Sequence, residues 1–296
     1  MTIQIHDCSA GAAPRIARLV CVADSVTCAI LDDGSVKCWG ANGNGQLGLG
    51  DYENRGDDAN EMGANLPAVY LGLERTAVAV TSGDFHSCAI LDDGSVNCWG
   101  YTSNGRLGQG IIDLGPNRTA VAVSAGHFHT CAVLARPDTL KCWGRNYEGQ
   151  LGLGDEKNRE GTNGDMGANL PAVDLGAGRT AVAVTSGRYH SCAILDDGSV
   201  KCWGRNFQDS FGLGDTRNRG DDANEMGEYL PAFDLGAGRT AVALSAGNYH
   251  TCTILVKVPA RGVAGMLRGV TPVVGMFGVW VRELWRGELW QRVWPG

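Results

Sequence analysis

Charge is scarce in this 296-residue chain: Asp, Glu, Lys and Arg together make up 19% of it. The formal net charge is −7, which disfavours a general nucleic-acid-binding surface. Residues 1–19 lack a charged segment followed by a ~7–15-residue apolar core, so no secretory leader is read there. The most apolar stretch, Gly262 to Val281, is broken by Arg268, Pro272 and several glycines. A membrane span prefers ~20 uninterrupted apolar residues, so this is a poor one. Reactive motifs are missing too. There is no phosphate-binding loop, no Gly-x-Ser-x-Gly, no His-Glu-x-x-His and no unrepeated Ser/His/Asp set. Nucleotide hydrolysis, serine hydrolysis and zinc proteolysis therefore have no visible machinery, and no cofactor is implied.

Glycine is abundant, with 44 residues, about twice the usual ~7%. Without a Gly-x-y period this means many tight turns and argues against a helical protein. Hydrophobic residues at 44% argue against disorder.

Self-similarity dominates. The run Cys-Ala-Ile-Leu-Asp-Asp-Gly-Ser-Val-Lys-Cys-Trp-Gly spans Cys28 to Gly40 and recurs with small changes from Cys88, Cys131 and Cys192. A fifth copy opens at Cys252 and stops matching after Leu255. The opening cysteines are 60, 43, 61 and 60 residues apart, the short interval reflecting a loop lost from copy 2. Each copy reads as strands. Thr-Ala-Val-Ala-Val is one; Cys-Ala-Ile-Leu and Ser-Val-Lys-Cys-Trp form a hairpin around Asp-Asp-Gly, with Gly in the left-handed position. Leu-Pro-Ala-Val at Leu66 and Leu170, with Leu-Pro-Ala-Phe at Leu230, is expected as a fourth, edge strand because of its proline. Four strands per unit with a Trp-Gly signature is the pattern of a β-propeller blade, and stacked blades bury each other's faces.

Two further stretches, Trp39-Gly40-Ala-Asn42-Gly-Asn-Gly45-Gln46-Leu47-Gly48 and Trp143-Gly144-Arg-Asn146-Tyr-Glu-Gly149-Gln150-Leu151-Gly152, follow a Gly-x-x-His-(Ser/Thr) segment in the later copies. Over residues 20–255 the chain resembles the regulator of chromosome condensation repeat family. That resemblance implies an all-β propeller, usually of seven blades. Here four complete blades and a partial one predict an incomplete ring: a fragment of a longer protein, an array that stays open, or one that closes by association, the fragment being favoured because an open propeller exposes two blade faces. The family includes an exchange factor for the small GTPase Ran, ultraviolet photoreceptors, a secreted β-lactamase inhibitor and arrays inside ubiquitin ligases. Two departures stand out: Ala23-Asp-Ser-Val26 replaces Gly-x-(Phe/Tyr)-His in copy 1, and Asp209-Ser-Phe-Gly212 replaces Gly-Gln-Leu-Gly in copy 4.

Outside the repeats lie an N-terminal segment, 1–19, and a tail, 256–296, with Trp280, Trp285, Trp290 and Trp294 and six Lys/Arg against two Glu. The tail is read as foreign to the propeller; membrane contact, if any, would come from it as an amphipathic segment.

Register places Cys88 opposite Cys98, and likewise Cys28 opposite Cys38 and Cys192 opposite Cys202. Cys131 and Cys142 are expected to pair in looser form, because their loop is one residue longer. Opposed residues have Cβ atoms ~4.5–5.5 Å apart, and a disulfide needs ~3.5–4.5 Å. One reading is a set of cross-strand disulfides and an oxidising compartment; the other is buried free thiols filling the core. The leaderless N-terminus points instead to the cytoplasm or a truncated chain, so the compartment stays open. Zinc is disfavoured because the spacing lacks a short Cys-x2-4-Cys knuckle. Cys8, Cys21 and Cys252 have no evident partner.

His86, His129, His190 and His250 recur once per copy, as structural hydrogen-bonders would and a catalytic histidine would not. His127 is outside that register and is expected on the surface. Trp39, Trp99, Trp143 and Trp203 recur too and are expected to pack between blades. One Trp per blade is too few for a photoreceptor cluster. The long loops carry Asp57, Asp58, Glu61, Asp221, Asp222 and Glu225. These could hold calcium, although their order does not match the Asp-x-Asp-x-Asp-Gly-x5-Glu loop, and a solvated loop is the simpler reading.

These readings point to a non-catalytic protein-interaction scaffold that binds a protein partner, not nucleic acid, through rim loops. The family resemblance implies two alternatives: an exchange factor for a Ran-like small GTPase, and a secreted or surface inhibitor or adhesion-type binder.

Overall fold

The computed structural model describes residues 15–101, 110–135, 138–160 and 164–257. Both the long tail beyond 257 and Cys8 lie outside the described residues. The chain is built from antiparallel sheets, one per sequence repeat. The first holds β1 (Ala17–Val22), β2 (Val26–Leu31) and β3 (Val36–Gly40). The second holds β4 (Ala77–Ser82), β5 (His86–Leu91), β6 (Val96–Gly100) and the two-residue β7 (Gly110–Ile111). The third holds β8 (Thr119–Ala125), β9 (His129–Ala135) and β10 (Thr139–Gly144). The fourth holds β11 (Ala181–Ser186), β12 (His190–Leu195) and β13 (Val200–Gly204), and the last pairs β14 (Arg239–Ala246) with β15 (Thr251–Lys257). These are blades of an incomplete propeller. Among the described residues no strand pairing joins the last sheet to the first. Their inner loops do meet, with Asn248 Nδ2 donating to Asp24 Oδ2 at 3.2 Å.

The hairpin between the second and third strands of a blade is dictated by its three-residue loop. Gly94 takes φ +80°, its N–H bonds the Leu91 carbonyl, and Leu91 N–H bonds the Ser95 carbonyl. Asp93 Oδ1 accepts from both the backbone and hydroxyl of Ser95. A side chain at Gly94 would also strike Thr119 of the next blade, where an added Cβ would sit 2.6 Å from the Thr Cβ. Gly is needed there twice over: for the turn and for the close approach.

The fourth, edge strand expected at Leu66, Leu170 and Leu230 is a correction. Each segment follows a single 3-10 turn, such as Gly63–Asn65, and touches the sheet at one point, which in the fourth blade is an isolated bridge of Ala232 to Lys201. Val69, Val173 and Phe233 N–H donate to Val36, Leu140 and Val200. Proline has no N–H to offer and the turn takes the preceding residues, so no ladder extends.

The core lies between blades rather than within them. One apolar cluster joins Val36, Cys38 and Leu47 of the first blade to Val80, Ala89 and Leu91 of the second. Equivalent clusters join the second to the third, the third to the fourth and the fourth to the last. Each fully buried Ile or Leu contributes about 1.5–3 kcal/mol, so the stacking of neighbours, not the single sheet, holds the fold.

Candidate functional site

The repeated residues form the joints between blades. His86 Nε2 lies 2.8 Å from Thr130 Oγ1, His129 Nε2 lies 2.8 Å from Ser191 Oγ, and His190 Nε2 lies 3.0 Å from Thr251 Oγ1. Thus the His of one His-(Ser/Thr) pair meets the hydroxyl of the next blade's pair. Burial pushes the imidazoles of His86 and His129 down to about 3 and that of His190 to about 4. They are neutral spacers near pH 7. His250 is exposed, as no described blade follows its own.

The tryptophans mark the other joint. Trp99 Nε1 donates to the Gln46 carbonyl and Trp203 Nε1 to the Gln150 carbonyl, both at 3.1 Å. Those carbonyls also accept from Ser87 and Ser191. Gly48 and Gly152 lie against the indoles so closely that an added Cβ would come within 2.6–2.7 Å. The Gly-Gln-Leu-Gly loop of one blade therefore clasps the Trp of the next. Trp143 and Trp203 are buried, whereas Trp39 and Trp99 are half-buried. In that loop Asn42, Asn146 and Asn206 are fully buried, and their Oδ1 atoms accept from Leu47, Leu151 and Phe211.

Four cysteine pairs lie at disulfide-bonding distance: Cys28 with Cys38, Cys88 with Cys98, Cys131 with Cys142, and Cys192 with Cys202. Their Cα atoms are 4.0–4.1 Å apart. The looser pairing expected of Cys131 and Cys142 is a correction. Cys142 stands directly opposite Cys131 in the ladder, and their Cα atoms are 4.1 Å apart, as close as in the other blades. Leu134 and Thr139 are themselves paired, so the longer loop between them does not shift the register at Cys142. In the first blade Cys21 stands opposite Cys28, at the position filled by Thr81, Ser124, Thr185 and Ser245 elsewhere. Its thiol is buried, accepts from Ser82 N–H at 3.1 Å, and is pushed up by desolvation. Cys252 is exposed.

The acidic loops are stapled to themselves. Glu61 Oε2 accepts from the N–H groups of Gly56 and Asp58, and Glu225 Oε2 from those of Gly220 and Asp222. Asp57 accepts from Asn54 Nδ2. Burial and the adjacent Glu225 push the Asp221 carboxyl up to about 6. Among the described residues no three His, Cys, Asp or Glu side chains converge as a metal site.

One surface combines a recurring aromatic with residues that differ from copy to copy. It lies where the second strand of each blade begins and the third ends. Phe85, Phe128, Tyr189 and Tyr249 occupy one repeat position; Tyr101, Arg145 and Arg205 follow Trp-Gly; Tyr147 and Phe207 come two residues later. Phe85 stacks on Phe128 at 5.1 Å between centroids. The guanidinium of Arg145 lies 5.2 Å from the Phe128 ring and 4.8 Å from that of Tyr147. Arg188 bridges Tyr189 and Tyr249, while Arg205 bridges Tyr189 and Phe207. The rings and arginines of the second to the last blade thereby form one continuous array.

His127, expected on the surface, is a correction. It is only 9% exposed. Its ring packs edge-on against Phe85 and Phe128, and its Nδ1 pairs with Asp84 of the preceding blade. The repeat register could not show this, because the partners come from two blades. The arginines were missed for the same reason: attention to residues shared by the copies passes over positions where they differ. The sequence did carry one signal. The residue before (Phe/Tyr)-His reads Asp84, His127, Arg188 and Asn248 while everything around it is held constant.

Fold and joints define an open, repeat-built β-propeller whose shared polar residues serve assembly. Two models of the regulator of chromosome condensation (RCC1) repeat match it, one at 33–90 and 142–194, the other at 77–106, 120–150 and 181–210. Their union covers more than half of the chain, and the chain belongs to the RCC1-repeat family. It is 28% identical over 212 residues to Protein pim1 of Schizosaccharomyces pombe, covering 68% of this chain and 37% of that protein. It is 28% identical over 269 residues to the ultraviolet-B receptor UVR8 of Arabidopsis thaliana, covering 86% of this chain and 54% of the receptor. The crystal structure of human WBSCR16 superposes with a TM-score of 0.59 at 18% identity, over 82% of this chain and 58% of that one. The chain thus spans little more than half, or less, of these relatives.

Proposed function

We propose that the chain is a non-catalytic protein-interaction scaffold that binds its partner through the aromatic and arginine face. One observation supports this above the others. The histidines, tryptophans and glutamine carbonyls common to the repeats are engaged in inter-blade bonds, whereas positions that change from copy to copy, those of Arg145, Arg188, Arg205, Tyr147 and Phe207, join the recurring aromatics on one continuous, partly exposed surface. A rigid frame carrying variable loops is the general design of a binding module. Arg and aromatic side chains are the types enriched where protein interfaces concentrate their energy.

The test is a photo-crosslinking amino acid placed at Tyr147 or Phe207, which are exposed, with Tyr52, on an acidic loop, as the control position. A discrete crosslinked partner at the two face positions and none at Tyr52 supports the reading. The same partners at all three positions, or at Tyr52 alone, overturn it. Acceleration of labelled-GDP release from a Ran-like GTPase, lost when the face is altered, would make that partner the GTPase and the scaffold an exchange factor.

A further inference from the structure

Three guanidinium groups surround a single ring in this face. The Arg188, Arg205 and Arg145 guanidinium carbons lie 5.2, 5.6 and 5.7 Å from the Tyr189 centroid. They come from two adjacent blades, so only the tertiary fold brings them together. A ring face attracts a cation and orients it, but does not cancel its charge. Three like charges around one ring repel unless an anion sits among them.

The face supplies few such anions. Arg145 and Arg188 make no ion pair among the described residues, and their Nε atoms are buried without a hydrogen-bond partner. Only Arg205 reaches a carboxylate, that of Glu148, at a long 3.8 Å. Asp84 pairs with His127 and also acts on Arg188, whose side chain bonds Tyr189, and Asp24 accepts from Asn248. The positive focus is therefore local, in a chain whose overall charge is −7. A long polyanion would be repelled by the rest of the molecule, whereas a few carboxylates at the focus would lie within about 10 Å of it, the range over which charge acts in salt.

We propose that this face takes a short acidic segment of a protein partner, its carboxylates held by Arg145, Arg188 and Arg205 around Tyr189. The planar guanidinium fork matches a carboxylate with paired N–H donors. Phe128, Tyr147, Tyr249 and Phe207 hold the forks in place and give the segment's apolar stems a flat floor. This inference rests on the scaffold reading and adds the chemistry of the partner.

The experiment is fluorescence anisotropy with a fluorescein-labelled peptide of alternating Glu and Gly, added to the full chain. A Lys/Gly peptide and an oligothymidine strand serve as controls. The acidic peptide is expected to bind saturably and more weakly as salt rises. The double variant R145Q/R188Q is expected to weaken binding about tenfold or more, a loss of ~1.4 kcal/mol at least. R205K, which keeps charge but not the fork, is expected to weaken it less and serves if the double variant does not fold. No saturable binding, equal binding by the variants, or tighter oligothymidine binding through the same arginines overturns the inference. Peptide display on the same protein separates the two readings. Neutral or basic sequences selected through this face would sink the acidic partner and leave the scaffold; no selection through it would sink both.

Discussion

The fourth blade and the partial last blade carry almost the same strand in two different environments. In β12 the run His190-Ser-Cys-Ala-Ile-Leu195 is buried throughout. In β15 the matching run, Thr251-Cys-Thr-Ile-Leu255, alternates between half-buried and exposed, and Ile254 is 55% exposed against 2% for Ile194. The cause is external to the strand. β12 lies between β11 and β13 and is covered by β14, whereas among the described residues β15 is paired in its sheet with β14 alone and meets β12 near Thr251 and Leu255. Burial in this fold is conferred by the next strand and the next blade, so the same apolar pattern is core in one place and edge in another.

The largest expected effect separates Leu195 from Leu255. Leu195 is 1% exposed within the cluster joining the third and fourth blades. Leu195→Ala is expected to cost about 2–5 kcal/mol in denaturant unfolding, while Leu255→Ala costs about 1 kcal/mol or less. Equal losses would mean that the last sheet is as well covered as the fourth.

Gly126 and Gly247 give the next contrast. A Cβ on Gly126 would fall on the Gly187 carbonyl oxygen of the following blade, a backbone obstacle. At Gly247 its three nearest atoms all belong to the ring of exposed His250. Gly126→Ala is expected to destabilise by about 1–3 kcal/mol and Gly247→Ala by well under that, as read from melting curves.

Acid sharpens the comparison through the buried histidines. His86 and His129 hold imidazoles at about 3, below the ordinary 6.5 of the unfolded chain. Between those values the unfolded chain binds more protons, so stability is full above about pH 6.5 and falls as pH drops toward 3. The melting temperature of the double variant H86Q/H129Q is expected to depend less on pH over that window. An unchanged slope would place the acid sensitivity elsewhere.

The smallest effect leaves stability untouched. Alkylation without reductant under native conditions is expected to label exposed Cys252 and leave Cys192 and Cys202 unmodified. After denaturation, still without reductant, labelling of three of the eleven cysteines would mean that all four pairs are oxidised. Labelling of all eleven would mean that the pairs are core-filling thiols.

Much of the frame was legible because its causes are local. Asp-Asp-Gly sets the hairpin, the hairpin sets the register, and the register sets Cys88 opposite Cys98. The longer loop of the third blade misled on tightness alone: Cys142 meets Cys131 as closely as its counterparts meet theirs. The expected strand at Leu66 was not borne out, since a 3-10 turn and a proline leave a single ladder bond there. The roles of Gln46 and Gln150 in gripping Trp99 and Trp203 depend on the neighbouring blade and could not be read from one repeat.

By itself the sequence determined the repeat, the hairpins, the register and the turn glycines, each fixed by steric rules acting over a few residues. Only the tertiary structure decided which apolar strands are buried, why His127 is covered, and that Arg145, Arg188 and Arg205 share Tyr189. Those outcomes depend on distances between residues some tens of positions apart, set by the angle at which one blade stacks on the next.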